Sequence, residues 1–156
     1  MNLQRRTFLK SVLATGGTVA LGTSVLPATV MAHWPKAAFE AKSVEEALKT
    51  LFESNEVTES DKITIGAPEI AENGAVVPIE VTVDLPNIQS IAIISEKNPV
   101  PLIAQFNFPE PANATGWLKT RIKMNETSNV VIVVKSDNQL FVARRDVKVT
   151  IGGCGG

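Results

Sequence analysis

Between Ala75 and Leu85, apolar β-branched residues fall on every second position: Val77, Ile79, Val81 and Val83 stand against Glu80, Thr82 and Asp84. Successive side chains of a strand point to opposite faces, so this period specifies a β-strand with one face in a core and one in water. Pro78 removes a ladder donor, which predicts an edge or a bulge at that point. Trp117–Met124 repeats the pattern, with Leu118, Thr120, Ile122 and Met124 against Lys119, Arg121 and Lys123. Asp146–Ile151 does so again, with Val147, Val149 and Ile151 inward and Lys148 and Thr150 outward. Val130–Val134 is apolar without a break, as in a central strand buried on both faces. Shorter runs at 62–66, 91–94, 102–108 and 139–143 complete the set. Asn98-Pro99-Val100-Pro101 and Ser136-Asp137-Asn138 mark turns, and Pro109 and Pro111 require a loop over 108–113. About seven short strands with turns between them predict an antiparallel β-sandwich.

One helix precedes them. Ser43-Val44-Glu45-Glu46 fits a capping box, and Val44, Ala47, Leu48 and Leu51 recur at helical spacing with Phe52 beside them. Glu45, Glu46, Lys49 and Glu53 fall largely on the other face. An acidic polar face suits packing on a core rather than binding to a membrane surface.

Residues 1–32 stand apart from the fold. Arg5 and Arg6 open Gln4-Arg5-Arg6-Thr7-Phe8-Leu9-Lys10, an apolar run extends to Leu26, and Val30-Met31-Ala32 has the small-residue pattern of a cleavage site. This is the pattern of a signal peptide, removed on export, and the paired arginines point to the twin-arginine route. The alternative, a retained anchor, is opposed by Pro27 and by the shortness of the apolar run. Gln4 stands where that motif usually carries Ser or Thr. Export of already folded protein fits a partner loaded before transport. Cleavage after Ala32 leaves residues 33–156 as one domain. The leader takes three of the 15 basic residues and none of the 16 acidic ones, so the remainder carries 12 against 16, a net charge of −4. A mildly acidic domain has no electrostatic footprint for nucleic acid or for an anionic membrane.

Familiar chemistries are then excluded by residue supply. The single histidine, His33, would begin the processed chain, and no second histidine exists to complete a copper or zinc site. One Cys and one His, far apart and outside any strand, do not make a nucleophile pair. No phosphate-cradling glycine loop joins a strand to a helix, and tyrosine is absent. No metal and no cofactor are expected. The carboxylates are scattered over solvent faces, and neighbours such as Glu45 and Glu46 do not face one another. Asn113-Ala114-Thr115 and Asn125-Glu126-Thr127 match the glycosylation triplet, a weak reading behind a bacterial type of leader.

The remaining feature is the end of the chain. Four of the ten glycines lie in the last five residues, Gly152, Gly153, Gly155 and Gly156, two on each side of the only cysteine, Cys154. Glycine adds no bulk and restricts the backbone least, so 152–156 reads as a flexible arm able to enter a narrow channel. Three residues of extended chain carry Cys154 roughly 10 Å beyond Ile151. The free thiol ordinarily titrates near 8.5, leaving a few per cent as thiolate at neutral pH, and no Lys, Arg or His stands in the arm to lower it. The arm thus offers a carrier group, activated by whatever enzyme receives it, rather than a catalyst. Two other readings stay open: an exported structural sandwich whose cysteine forms only intermolecular disulfides, and a tagging protein with a diglycine end. The leader and Cys154 oppose the second.

The run Leu140–Ile151 followed by Gly-Gly-Cys-Gly-Gly closely resembles the C-terminus of the SoxY family, the sulfur-carrying subunits of the bacterial thiosulfate-oxidising system. The resemblance takes in the leader, the helix leading into strands and the tail. It implies a periplasmic, immunoglobulin-like sandwich paired with SoxZ in a heterodimer. It implies that thiosulfate is joined oxidatively to Cys154 by the haem enzyme SoxAX. SoxB then releases sulfate, and the remaining sulfane sulfur is oxidised by SoxCD or passed on. A disulfide-linked self-dimer through Cys154 is a side state. The edge near Pro78 and the Trp117–Met124 strand are the two surfaces offered to SoxZ.

Overall fold

A computed structural model describes residues 35–108 and 116–152. The leader with Arg5 and Arg6, His33, most of the 108–113 loop, and Gly153, Cys154, Gly155 and Gly156 lie outside the described residues. Among the described residues one helix, α1 (Val44–Phe52), is followed by nine strands. These are β1 (Thr58–Glu59), β2 (Ile63–Gly66), β3 (Ile70–Ala71), β4 (Val77–Val83), β5 (Ile88–Ser95), β6 (Leu102–Asn107), β7 (Gly116–Ile122), β8 (Ser128–Ser136) and β9 (Gln139–Val149).

The unbroken apolar run of β8 is explained by a layer on each side of it. Val130, Ile132 and Val134 face a three-stranded sheet ordered β2-β4-β7, where they meet Val77, Ile79, Val81 and Ile122. Val131 and Val133 face the opposite way, onto Ala47 and Leu48 of α1 and onto Ala38 and Ala41 before it. Strand β5 is divided in the same way, with Ile91 and Ile93 on one side and Ala92 and Ile94 on the other. The larger sheet, ordered β1-β9-β8-β5-β6, is therefore the middle of three layers: small sheet, large sheet, helix. Strands buried on both faces lose their alternation, and those with one wet face keep it. The sandwich expected from the sequence is present, and the helix covers its outer face.

Local signals are mostly confirmed. Ser43 caps α1, its Oγ accepting from the Glu46 N–H at 3.1 Å. The Glu46 carboxylate reaches back one residue further than a capping box requires, to the Lys42 N–H at 2.9 Å. Asp137 and Asn138, both at positive φ (48° and 61°), form the two-residue turn between β8 and β9. Mirror-image turns of this kind match the strand twist, and Asn and Asp tolerate them best.

Three expectations are corrected. First, 139–143 and 146–151 are not separate strands, because β9 runs without interruption from Gln139 to Val149. Arg144, Arg145 and Asp146 are exposed in mid-strand, and β8 pairs with all three. Arg144 there pairs with Glu59 and lies 3.9 Å from Glu96. Second, β4 is the centre of the small sheet, not its edge. Pro78 is tolerated because β2 pairs with β4 only as far as Glu80, so at Pro78 the strand has β7 alone beside it. Third, β1 and β3 are two-residue strands that pair with β9 in parallel, an addition to the antiparallel plan. Strand β7 is an outer strand of the small sheet, with Trp117, Lys119 and Arg121 exposed along it.

Candidate functional site

Strand β9 leads directly to the arm, and the chain around its end is closely held. The segment after β3 runs beside it: the Thr150 N–H donates to the Ala71 carbonyl (3.1 Å), the Thr150 hydroxyl to the Glu72 carbonyl (2.9 Å), and the Gly74 N–H to the Ile151 carbonyl (2.7 Å). On the other side the Val149 N–H donates to the Thr127 hydroxyl at 2.9 Å. Gly74 joins the two flanks, since its carbonyl accepts from the Met124 N–H at 2.7 Å. The Ile151 side chain, 64% exposed, projects from this collar.

Gly152 is seated rather than free. A Cβ there would overlap the Asn125 carbonyl oxygen, a backbone atom that cannot swing aside. The Asn125 backbone is itself fixed by Asn98, whose Oδ1 accepts from the Asn125 N–H (2.8 Å) while its Nδ2 donates to the Lys123 carbonyl (2.8 Å). One side-chain amide thus closes both ends of the 123–125 segment, in the manner of a short strand pairing. Cys154 lies two residues beyond this seat and outside the described residues. The structure accordingly assembles the root of the arm from residues that sequence patterns did not single out: Gly74, Asn98, Asn125 and Thr150. Asn98 reads only as part of a proline turn, and Asn125 and Thr127 only as a glycosylation triplet. Their work is done by backbone partners distant in sequence, which no local pattern encodes.

The described surface adds no second chemical centre. Among the described residues no group of three or more His, Cys, Asp or Glu side chains is placed to hold a metal ion. A cleft lined by Phe52, Val57, Lys135 and Gln139 sits at the β8–β9 turn. The length of β9, roughly 33 Å for its ten residue steps, separates it from the arm, well beyond the reach of Cys154. One carboxyl is shifted. Glu80, on the outer face of the small sheet, is held below its usual range, first by the Trp117 indole N–H at 3.1 Å and then by Lys119 at 3.2 Å. That pairing ties β4 to β7 and takes no part at the arm.

Comparison with known proteins follows the same lines. A model of the SoxY family, "Sulfur oxidation protein SoxY", matches residues 48–154, more than half of the chain and including Cys154. Among solved structures, the sulfur carrier protein SoxY from Chlorobium limicola f thiosulfatophilum is 38% identical, with a TM-score of 0.59 over 70% of this chain and 97% of that one. A superoxide reductase (neelaredoxin) from Ignicoccus hospitalis shares the fold alone, at 18% identity and a TM-score of 0.51 over 60% of this chain and 94% of that one. No curated protein matches the chain.

Proposed function

We propose, from the premise that the chain belongs to the SoxY family of sulfur oxidation proteins, that it is a sulfur carrier whose attachment point is the Cys154 thiol. The observation that carries this reading is the continuity of β9 into a terminal segment of four glycines around the chain's one cysteine, within the stretch that the family shares. A thiol at the tip of such an arm binds cargo covalently and reaches active sites that the sandwich itself cannot enter.

Loading joins the Cys154 thiolate to the outer sulfur of thiosulfate, giving a cysteine S-thiosulfonate and releasing two electrons to the haem enzyme SoxAX. Hydrolysis by SoxB adds water across the sulfur–sulfonate bond, releasing sulfate and leaving a persulfide on Cys154. The remaining sulfane sulfur is then either passed to an acceptor thiol or oxidised on Cys154 by SoxCD, with three waters supplying oxygen and six electrons leaving to that enzyme, to a sulfonate that SoxB hydrolyses. The carrier supplies reach and a thiol, and its partners supply activation, in keeping with an arm that holds no cationic side chain to favour the thiolate. SoxZ is the standing partner, the exposed β7 edge is one of its candidate surfaces, and the pair works in the periplasm after twin-arginine export directed by Arg5 and Arg6.

Intact-mass measurement tests the proposal. After incubation with SoxZ, thiosulfate and the haem enzyme, the wild-type chain gains one thiosulfate-sized adduct and Cys154→Ser gains none. An unmodified wild-type chain, or full sulfur oxidation supported by Cys154→Ser, refutes it. A disulfide dimer as the sole modification would instead favour an exported structural protein.

A further inference from the structure

We infer that the open edge of β7 takes a strand from a partner protein, an extended acidic segment that joins the small sheet beside Trp117, Lys119 and Arg121, a step that builds on the reading of β7 as a partner surface and on nothing at the thiol. Pro78 has no N–H to exchange with β7. The Pro78↔Arg121 pair, and with it Glu80↔Lys119 and Thr82↔Trp117, therefore falls where the two strands exchange no hydrogen bonds. The N–H and C=O groups of Trp117, Lys119 and Arg121 point away from β4, and among the described residues β7 has a strand on one side only. The chain just beyond β7 keeps the same parity. There the Met124 N–H turns inward to the Gly74 carbonyl, while the Lys123 carbonyl and the Asn125 N–H take the Asn98 side-chain amide. Asn98 thus closes the edge from 123 onward, and the open stretch is 117–121.

Side chains along that stretch set the chemistry of the incoming strand. Trp117, Lys119 and Arg121 are exposed on the outer face, and Lys123 follows them. Glu80 pairs with Lys119 and accepts from the Trp117 indole, whereas Arg121 and Lys123 form no ion pair among the described residues. This is a basic stripe on a domain of net negative charge. On the inner face Leu118 packs on the core yet stays half-buried, as does Thr120. A strand with carboxylates at alternate positions and β-branched apolar residues between them would match the cations outside and cover Leu118 inside. A second copy fits badly, because β7 paired with β7 about Lys119 sets two lysines directly opposite one another. Cations on an edge strand also guard against unwanted pairing. Trp117, 53% exposed, serves no such guard and is a residue type that interfaces favour.

Amide hydrogen exchange followed by NMR tests this on the chain kept under reductant, with the blocked peptide Glu-Val-Glu-Val-Glu as the probe and Lys-Val-Lys-Val-Lys as its control. At about ten times its Kd, the acidic peptide slows exchange of the Trp117, Lys119 and Arg121 amides about tenfold. Leu118 and Thr120, already bonded to β4, change little, and the lysine peptide protects none of the five. Arg121→Glu, with an unchanged thermal midpoint, binds the acidic peptide about tenfold more weakly. Unprotected odd-numbered amides, or equal protection by both peptides, overturns the inference. Protection that appears without peptide and grows with protein concentration overturns it in favour of self-pairing. No step of the assay involves Cys154, so a chain that fails to load thiosulfate but shows this protection refutes the carrier reading alone.

Discussion

Ile132 and Val133 are adjacent in β8, are both fully buried, and face different cores. Truncating each to alanine separates the contributions of the two layers. Ile132→Ala removes three carbons from between the sheets, about 2.4 kcal/mol at roughly 0.8 kcal/mol per buried methylene, before any residual cavity is counted. The cavity cost brings the expected loss to about 3–4 kcal/mol. Val133→Ala removes two carbons from beneath α1, about 1.6 kcal/mol of transfer and about 2–3 kcal/mol in all. Against a typical domain stability of about 5–15 kcal/mol, either change is large. Urea denaturation followed by circular dichroism measures both losses, as a lowered midpoint at constant slope. Native-state hydrogen exchange then locates them. Val133→Ala speeds exchange in α1, a nine-residue helix too short to persist without its docking face, and spares β4. Ile132→Ala does the reverse. A loss below about 1 kcal/mol in either variant, or the same exchange pattern in both, refutes the reading of β8 as a wall between two cores.

Two further outcomes follow from particular contacts. A carboxyl held below its ordinary pKa stabilises the fold above the unfolded value and loses that contribution as pH falls through the folded value, so Glu80→Gln lowers the thermal midpoint at pH 7, and the gap from wild type closes as the pH drops below about 4. A gap that persists at low pH would show that packing, not charge, sustains the effect. At Gly116, a Cβ would stand 2.5 Å from Ile88 Cδ1 and 2.6 Å from Val83 Cβ. Gly116→Ala therefore forces β7 from the large sheet and costs about 1–3 kcal/mol in the same denaturation assay, where an unchanged midpoint would show that the strand yields freely.

What the sequence made legible was whatever depends on neighbours along the chain. The alternation in β4 and β7, the unbroken run in β8, the Ser43 cap and the Asp137-Asn138 turn are all local signals, and each is found where expected. Strand β9 reads as two pieces because Arg144-Arg145-Asp146 breaks the alternation, although its pairing with β8 continues through all three residues. The two-residue strands β1 and β3 are defined only by their pairing with β9, which no window around them records. Pro78 signals an edge at its own position, and how far β2 extends beside β4 decides that locally, not the place of β4 in the sheet order. At the arm, Cys154 stands out by composition and the seat beneath it does not, because Asn98 acts across 25 and 27 residues of sequence.

Strand β9 also has a mechanical role. A pull on the chain's end directed in line with β9 loads that strand along its axis. That strand is paired with β8 from Gln139 to Val147 and gripped on its other side by β1 near one end and β3 near the other. A load in that direction shears the whole ladder at once instead of unzipping it bond by bond, so the force is shared among many hydrogen bonds. The terminus of this chain is attached like a rope spliced along its length, and tension on it is carried into the middle layer of the fold.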